Sequence, residues 1–148
     1  DAKNIHGFMS GEHGDSQFAV WSSVHVSGMP IDPYCAKCGI TLDKPAIESA
    51  VRTAGGEVIK LKGATFYAIA SVVSELCNVM MKDMHSVYNV STLLDGEFGI
   101  KNVCISVPTV LGIEGAVQHI PYDYTEEETA KLLASAQKLR EFLDSLKV

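Results

Sequence analysis

The pattern of apolar and polar residues near the amino terminus predicts short strands joined by turns and a loop. Segment Ile5–Ser10 is apolar, and Phe18–Val26 is rich in the β-branched and aromatic residues that favour strands. Between them, residues 11–16 read Gly-Glu-His-Gly-Asp-Ser, which is typical of a turn. Two prolines and two glycines within residues 28–39 predict a loop after the second strand.

The middle of the chain predicts two helical segments. The first begins at about Lys44, and the pair Gly55-Gly56 predicts an interruption, because each glycine costs a helix about 1 kcal/mol. Gly63 predicts a second break before the chain becomes helical again. The last segment, Phe66–Met84, is apolar on most faces, which is typical of a helix buried in a core.

The last third of the chain predicts a β-meander followed by a helix. Three extended segments, Ser86–Leu94, Val103–Leu111 and Ala116–Ile120, are separated by turn residues. Thr125 and Glu128 have the spacing of a capping box, which marks a helix start. One apolar stripe follows at helical spacing, formed by Leu132, Ala136, Leu139, Leu143 and Leu146. This order predicts an α+β fold with long helices packed against an antiparallel sheet.

Composition and charge limit the class of protein. The 148 residues are 47% hydrophobic and 20% charged, which indicates one globular domain over residues 1–148. The net charge is −6 and no basic cluster occurs, so the sequence predicts no nucleic-acid partner. No apolar run approaches the roughly 20 residues that span a bilayer, and the first residues do not resemble a signal peptide. We therefore expect a cytoplasmic protein without a membrane partner.

The chain has four cysteines, and two of them have a spacing that occurs in metal and redox sites. Cys35 and Cys38 form a CxxC pair, but a structural zinc site needs four ligands and no second pair is present. No two histidines have the i, i+4 spacing of a helical metal pair. The sequence therefore predicts two reduced thiols in a loop and no metal site. Cys77 and Cys104 have apolar neighbours and are predicted to lie in the core.

His13, in the turn at 11–16, is the strongest candidate for chemistry. Near neutral pH an imidazole both gives and takes a proton, and Gly11 and Gly14 allow backbone or substrate to approach it closely. The pattern alone leaves open whether His13 is a catalytic acid–base or a structural residue of the turn. The other histidines in and near the predicted strands are expected to be structural or surface residues: His25, His85 and His119. No nucleophile elbow, P-loop or GxGxxG motif is present.

Three motifs in a fixed order resemble one enzyme family. These motifs are similar to the carboxy-terminal substrate domain of the L-lactate dehydrogenases, within the lactate/malate dehydrogenase superfamily. They read GEHGDSQFAVWSSVHVSGMPI, EVIKLKGATFYAIA and SVPTVLG. The resemblance extends from Ile5 to about Leu146. Malate dehydrogenases usually carry a different histidine turn, and an alanine-proline pair where this chain has Ala68-Ile69, so the resemblance favours lactate.

The resemblance implies roles for four residues. His13 matches the proton donor and acceptor for the carbonyl oxygen of pyruvate, and Thr65 matches a threonine that lines the substrate pocket. Ile69 matches an apolar residue near the nicotinamide ring of NAD. His6 matches a histidine that helps to bind fructose 1,6-bisphosphate in allosteric bacterial members. Packing roles stay open for Ile69 and His6.

The resemblance also implies partners outside residues 1–148. The family binds NAD mainly with an amino-terminal Rossmann domain, which also supplies the arginine for the substrate carboxylate and the aspartate that orients the histidine. We expect that domain to be absent from this chain, because Arg52 and Arg140 match none of these roles. The chain alone is then expected to be inactive and to expose an apolar face, and the resemblance implies a homo-oligomer, which is typically a tetramer in this family. Two alternatives stay open: a non-catalytic dimerisation or interaction domain of the same descent, and a related malate or 2-hydroxy acid dehydrogenase.

Overall fold

Residues 1–146, which the computed structural model of the chain describes, form eight strands and four α-helices. The strands are β1 (Ile5–His6), β2 (Met9–Ser10), β3 (Phe18–Ala19), β4 (His25–Val26), β5 (Met29–Pro30), β6 (Ser86–Asp95), β7 (Lys101–Gly112) and β8 (Gly115–His119). The helices are α1 (Ile31–Cys38), α2 (Lys44–Lys62), α3 (Tyr67–Met81) and α4 (Glu126–Ser145). The strands pair antiparallel, in the orders β1-β4-β5, β2-β3 and β6-β7-β8, and both α3 and α4 contact β7. The predicted α+β fold is confirmed.

The β6-β7-β8 meander and α4 enclose the core. Alternate residues of β7 point to one face of the sheet, where Val103, Ile105 and Val107 are buried. Leu132 and Ala136 of α4 belong to the same buried cluster, which has Leu139 at its margin. The predicted meander is therefore correct. The capping box at the start of α4 is also correct, with both reciprocal hydrogen bonds formed. The apolar stripe continues beyond the core, because the last two leucines of the stripe, Leu143 and Leu146, are exposed.

The prediction of one strand over Phe18–Val26 is wrong. The segment contains β3, a 3-10 turn at Trp21–Ser23 and β4. The N–H and the hydroxyl of Ser23 both donate to the carbonyl of Val20, at 2.9 and 2.6 Å, so local bonds engage backbone groups that a continuous strand would pair with a neighbouring strand. The predicted strand Ile5–Ser10 is likewise divided, because β1 pairs with β4 while β2 pairs with β3.

The predicted loop at 28–39 contains the helix α1. Proline is tolerated there because the first N–H groups of a helix have no acceptor within the helix, so Pro33 in the first turn removes no helical bond. Gly39 ends the helix at a φ of 66°, a left-handed conformation that costs glycine little. The CxxC pair therefore lies on a helix rather than in a loop. Its thiols are free, with Cys35 buried and Cys38 exposed.

The predicted interruption of the first long helix is also wrong. Helix α2 runs through Gly55 and Gly56 without a break. It is capped at both ends: the carboxylate of Asp43 accepts from the N–H of Ala46 at 3.0 Å, and Gly63 donates to the carbonyl of Ile59 at 2.7 Å. These caps offset part of the cost of two glycines, which is about 1 kcal/mol each in a helix interior.

Helix α3 is not buried within this chain, contrary to the prediction from its composition. Val79 is its buried residue, whereas Tyr67 is 77% exposed and Met81 is 81% exposed. The core prediction for Cys77 and Cys104 fails as well. Cys77 lies on this exposed helix, and Cys104 lies on the opposite face of β7 from the core residues that flank it. Within residues 1–146, most of the apolar surface of α3 is therefore open to solvent.

One prediction concerns the acid stability of the turn after β6. The carboxylate of Glu97 accepts from the Asp95 N–H at 2.7 Å and lies 2.8 Å from His119 Nδ1. Hydrogen bonds from its own backbone N–H, from His119 and from Asp95 lower the pKa of Glu97 from 4.5 to about 2. Because the pKa is lower in the folded state, the carboxylate stabilises the fold above pH 4.5, and this contribution is lost as the pH falls towards 2.

Glu97→Gln should therefore lower the melting temperature most at about pH 6 and progressively less towards about pH 3. Circular dichroism melting curves across this range measure the difference from the unsubstituted chain. Glu114→Gln, at an exposed turn position between β7 and β8, is the matched control and should show no such trend. A Glu97→Gln difference that is constant with pH would contradict the prediction.

Candidate active site

The histidine turn, residues 11–16, is anchored at its start to the central strand of the meander. Gly11 exchanges backbone hydrogen bonds with Ser106 of β7, at 3.4 and 3.3 Å. Its φ is +96°, and a Cβ at this position would lie 3.0 Å from Ser135 Oγ and 3.1 Å from the carbonyl oxygen of Ser16. A side chain at position 11 would therefore be both strained and crowded, which explains the glycine.

Three side chains close a ring of hydrogen bonds beneath the histidine turn. The N–H of Glu12 donates to Ser135 Oγ at 2.8 Å, and the hydroxyls of Ser135 and Ser16 are 2.9 Å apart. The Ser16 hydroxyl and its N–H both donate to Glu12 Oε2. We call these three residues, Glu12, Ser16 and Ser135, the hydroxyl ring. It holds both sides of the turn against α4.

The ring directs the Glu12 carboxylate towards Ser16 and leaves His13 exposed to solvent. A Cβ on Gly14 would lie 2.3 Å from Glu12 Oε1, so glycine at 14 leaves the space that this carboxylate occupies. Within residues 1–146, no hydrogen bond engages the His13 ring, which is therefore free to contact a bound molecule. The imidazole is carried by a turn whose own bonds do not depend on it.

Helix α2 also contacts the histidine turn. Arg52 Nη1 donates to the carbonyl of Asp15 at 3.3 Å, and Arg52 Nη2 lies 3.6 Å from Glu48 Oε2. Glu48 Oε1 accepts from Trp21 Nε1 at 2.6 Å. One chain of polar contacts thus connects the 3-10 turn after β3, helix α2 and the histidine turn.

Thr65 and Ile69 lie at the connection between α2 and α3. Gly63 ends α2, Thr65 is half-buried in the connection, and Ile69 is 55% exposed in the first turn of α3. Among residues 1–146, no hydrogen bond joins either residue to His13. The structure therefore leaves both residues open to a partner or a ligand without bringing them into polar contact with the histidine.

His6 lies away from the histidine turn, on the small β1-β4-β5 sheet. It is exposed and stands opposite His25 in the antiparallel pairing of β1 with β4. The Nδ1 atom of His25 is 2.7 Å from the carbonyl oxygen of Ser23. The structure does not bring His6 together with His13, Thr65 or Ile69.

Comparison with known proteins identifies the family. A family model described as the lactate/malate dehydrogenase α/β C-terminal domain matches residues 1–147. The chain belongs to this family. The resemblance stated from the three motifs is thereby confirmed.

Similar proteins of this family are L-lactate dehydrogenases. One from Treponema denticola is 43% identical over 145 residues, covering 95% of this chain and 46% of that protein. Another, from Acetivibrio thermocellus, is 35% identical and covers 100% of this chain and 48% of that protein. The solved structure of an L-lactate dehydrogenase from Clostridium thermocellum has a TM-score of 0.88 and 36% identity, and it covers 100% of this chain and 48% of that chain. The chain spans about half the length of the curated relatives that it matches.

Sequence reasoning missed the contacts of two α4 residues: Ser135 supports the histidine turn, and Glu128 binds the 3-10 turn at Trp21–Ser23. Ser135 is fully buried, and a polar residue between Leu132 and Ala136 of an apolar stripe was the available signal. Glu128 was recognised as a helix cap, but its carboxylate also accepts from the N–H and hydroxyl of Ser22, at 3.0 and 2.7 Å. Burial raises the pKa of Glu128, yet hydrogen bonds from Ser22 and Thr125 outweigh burial, so the net shift is downward.

The described part of the chain contains neither a metal-ligand cluster nor a membrane-spanning helix. No group of three or more histidine, cysteine or acidic side chains within residues 1–146 is arranged to hold a metal ion. None of the helices there combines the length and the apolar composition that crossing a bilayer requires.

Proposed function

We propose that this chain is the carboxy-terminal half of an NAD-dependent L-lactate dehydrogenase, which interconverts pyruvate and L-lactate, and that His13 is its proton-transfer residue. The observation that carries the proposal is the exposed His13 imidazole on a turn that is fixed on both sides by β7 and α4. A rigid support with a free imidazole is the arrangement that general acid–base catalysis requires. The L-lactate dehydrogenases among its relatives support the choice of reaction.

In this mechanism His13 donates its proton to the carbonyl oxygen of pyruvate and takes it back from the hydroxyl of lactate. The cofactor, when bound, would supply hydride as NADH to the carbonyl carbon of pyruvate, or accept hydride as NAD⁺ from the same carbon of lactate. Thr65 lines the pocket beside the reacting group. Ile69 offers an apolar surface next to Phe66 and Tyr67, and such a surface fits the flat face of a nicotinamide ring. The phosphates and adenosine are bound elsewhere, because this chain has no GxGxxG loop.

The proposal includes an amino-terminal half that binds NAD and holds the substrate carboxylate. We call the protein made of that half and this chain the two-domain protein. The carboxylate needs a charged partner, and an arginine binds it most specifically because its guanidinium forms two parallel hydrogen bonds. The arginines of this chain do not match that role, since Arg52 is committed to Glu48 and Asp15, and Arg140 donates to the carbonyl of Lys101. Three further parts of the proposal rest on the family resemblance. They are homotetramer assembly, a cytoplasmic location and an effector role of His6 towards fructose 1,6-bisphosphate.

A non-catalytic interaction domain is the second candidate function, and the exposed apolar surface of α3 favours it. The two candidates differ in what the two-domain protein does with NADH. Loss of absorbance at 340 nm follows NADH oxidation, measured with pyruvate, oxaloacetate and a branched 2-oxoacid as substrates. A catalytic protein should prefer pyruvate by about a hundredfold in kcat/KM, the discrimination that substrate-shaped pockets reach. Equal or greater activity with oxaloacetate would favour a malate enzyme, and no oxidation with any substrate would favour the interaction domain.

A further inference from the structure

We propose that Ser135 is a positioning residue for His13: its hydroxyl fixes both sides of the turn that carries the imidazole. The inference deepens the proposed function and rests on it, because it assigns a residue on a distant helix to the proton-transfer step. Ser135 is fully buried, and its helix α4 is embedded in the core through Leu132 and Ala136. The support beneath the turn is therefore rigid.

The protons of the hydroxyl ring can be assigned completely. Ser16 donates its hydroxyl proton to Glu12 Oε2, so the proton between the two hydroxyls belongs to Ser135 and points to Ser16 Oγ. Ser135 Oγ in turn accepts from the Glu12 N–H. Each member thus both donates and accepts, and the ring closes around the backbone of residues 12 and 16.

His13 follows Glu12 directly and precedes Ser16 by three residues, so the ring fixes the turn on both sides of it. Removing the Ser135 hydroxyl leaves the Glu12 N–H without its acceptor and separates the Ser16 side of the turn from α4. The backbone of the turn at His13, which carries the imidazole, is then less restrained. A misplacement of about 1 Å costs an enzyme up to about a hundredfold in rate.

A purely structural role for Ser135 predicts a different result. Loss of a buried hydrogen bond lowers stability without altering the chemical step of the molecules that stay folded. Thr109→Val is the matched control for this effect. Thr109 is fully buried like Ser135, and its hydroxyl donates to the carbonyl of Val107 at 2.9 Å rather than to the hydroxyl ring.

The test measures pyruvate reduction by the two-domain protein with Ser135→Ala, Ser16→Ala and Thr109→Val. Ser16 is only half-buried, so Ser16→Ala removes the same link with less risk to folding. Active sites are counted by NADH fluorescence titration. We expect kcat per active site to fall about tenfold to a hundredfold in Ser135→Ala and in Ser16→Ala, with unchanged NADH affinity. The solvent deuterium isotope effect on kcat should increase in both, because proton transfer from a displaced imidazole becomes slower. Thr109→Val should change neither quantity.

Two outcomes overturn the inference, and they are distinguishable. If the unsubstituted protein is active and both serine variants have the kcat and isotope effect of Thr109→Val, the positioning role is wrong while the proposed function stands. If the unsubstituted protein oxidises no NADH with any 2-oxoacid, the proposed function fails and the positioning role fails with it.

Discussion

Replacing His13 by asparagine in the two-domain protein should lower kcat/KM for pyruvate reduction by about a thousandfold, within the range that general acid–base groups contribute. Asparagine keeps a hydrogen-bond donor but does not transfer a proton at neutral pH. The fold should be unaffected, because the bonds of the histidine turn are made by its backbone and by Glu12, Ser16 and Ser135. Steady-state kinetics with NADH, together with the melting temperature, measure both expectations.

His85→Asn is the matched control for this substitution. His85 is exposed like His13, but it lies between α3 and β6 and its Nδ1 contacts the carbonyl of Asp83. Its φ of 50° also suits asparagine, which adopts left-handed conformations more readily than most residues. The control should retain wild-type kinetics. A loss of less than tenfold in His13→Asn would show that another group transfers the proton.

The 148-residue chain by itself should show no measurable NADH-dependent reduction of pyruvate and should self-associate. Under the proposed function, the amino-terminal half supplies much of the binding energy and charge stabilisation, and these account for most enzymatic rate enhancement. Exposed apolar side chains on α3, such as Tyr67, Val72 and Met81, form a surface that soluble monomers rarely present. Adding a separately produced amino-terminal half should restore turnover and reduce self-association. Sedimentation velocity and the NADH assay, with and without the second half, measure these effects.

The variant Tyr67→Lys/Met81→Lys separates association from folding. Both side chains are largely exposed, so the melting temperature should change little while the monomer fraction increases. Gln137→Lys, at an exposed position on α4, adds the same kind of charge outside this surface and should leave association unchanged. A monodisperse unsubstituted monomer, or robust turnover by the chain alone, would contradict the prediction.

Sequence patterns predicted best the elements whose signals are local. The Thr125–Glu128 capping box and the β6-β7-β8 meander are correct because caps, turns and strand alternation act over a few residues. The patterns failed where specific hydrogen bonds or helix caps determine the local structure. The 3-10 turn after β3 depends on a bond between Ser23 and Val20, and α2 tolerates Gly55 and Gly56 between two strong caps.

Composition did not predict which apolar residues are buried. The apolar sequence of α3 predicts a covered helix but does not say what would cover it, and Cys104 is exposed because it lies on the face of β7 opposite the core. In the candidate site, too, the sequence identified some residues and not others. The family motifs identified His13, Thr65 and Ile69 as candidates, and their roles stay predictions. Ser135 was not identified, because a buried serine on one helix reveals its partners only after the chain has folded.

The contact between Glu12 and Ser135 also has a consequence for biosynthesis. The two residues are 123 positions apart, so the histidine turn emerges from the ribosome long before the helix that supports it. A nascent chain that has not yet released α4 carries the histidine but does not hold it in place. Contacts between such distant positions form late because closing the intervening loop costs entropy. Chains that end before α4 would therefore carry His13 on an unformed turn, and under the proposed function they would not consume NADH.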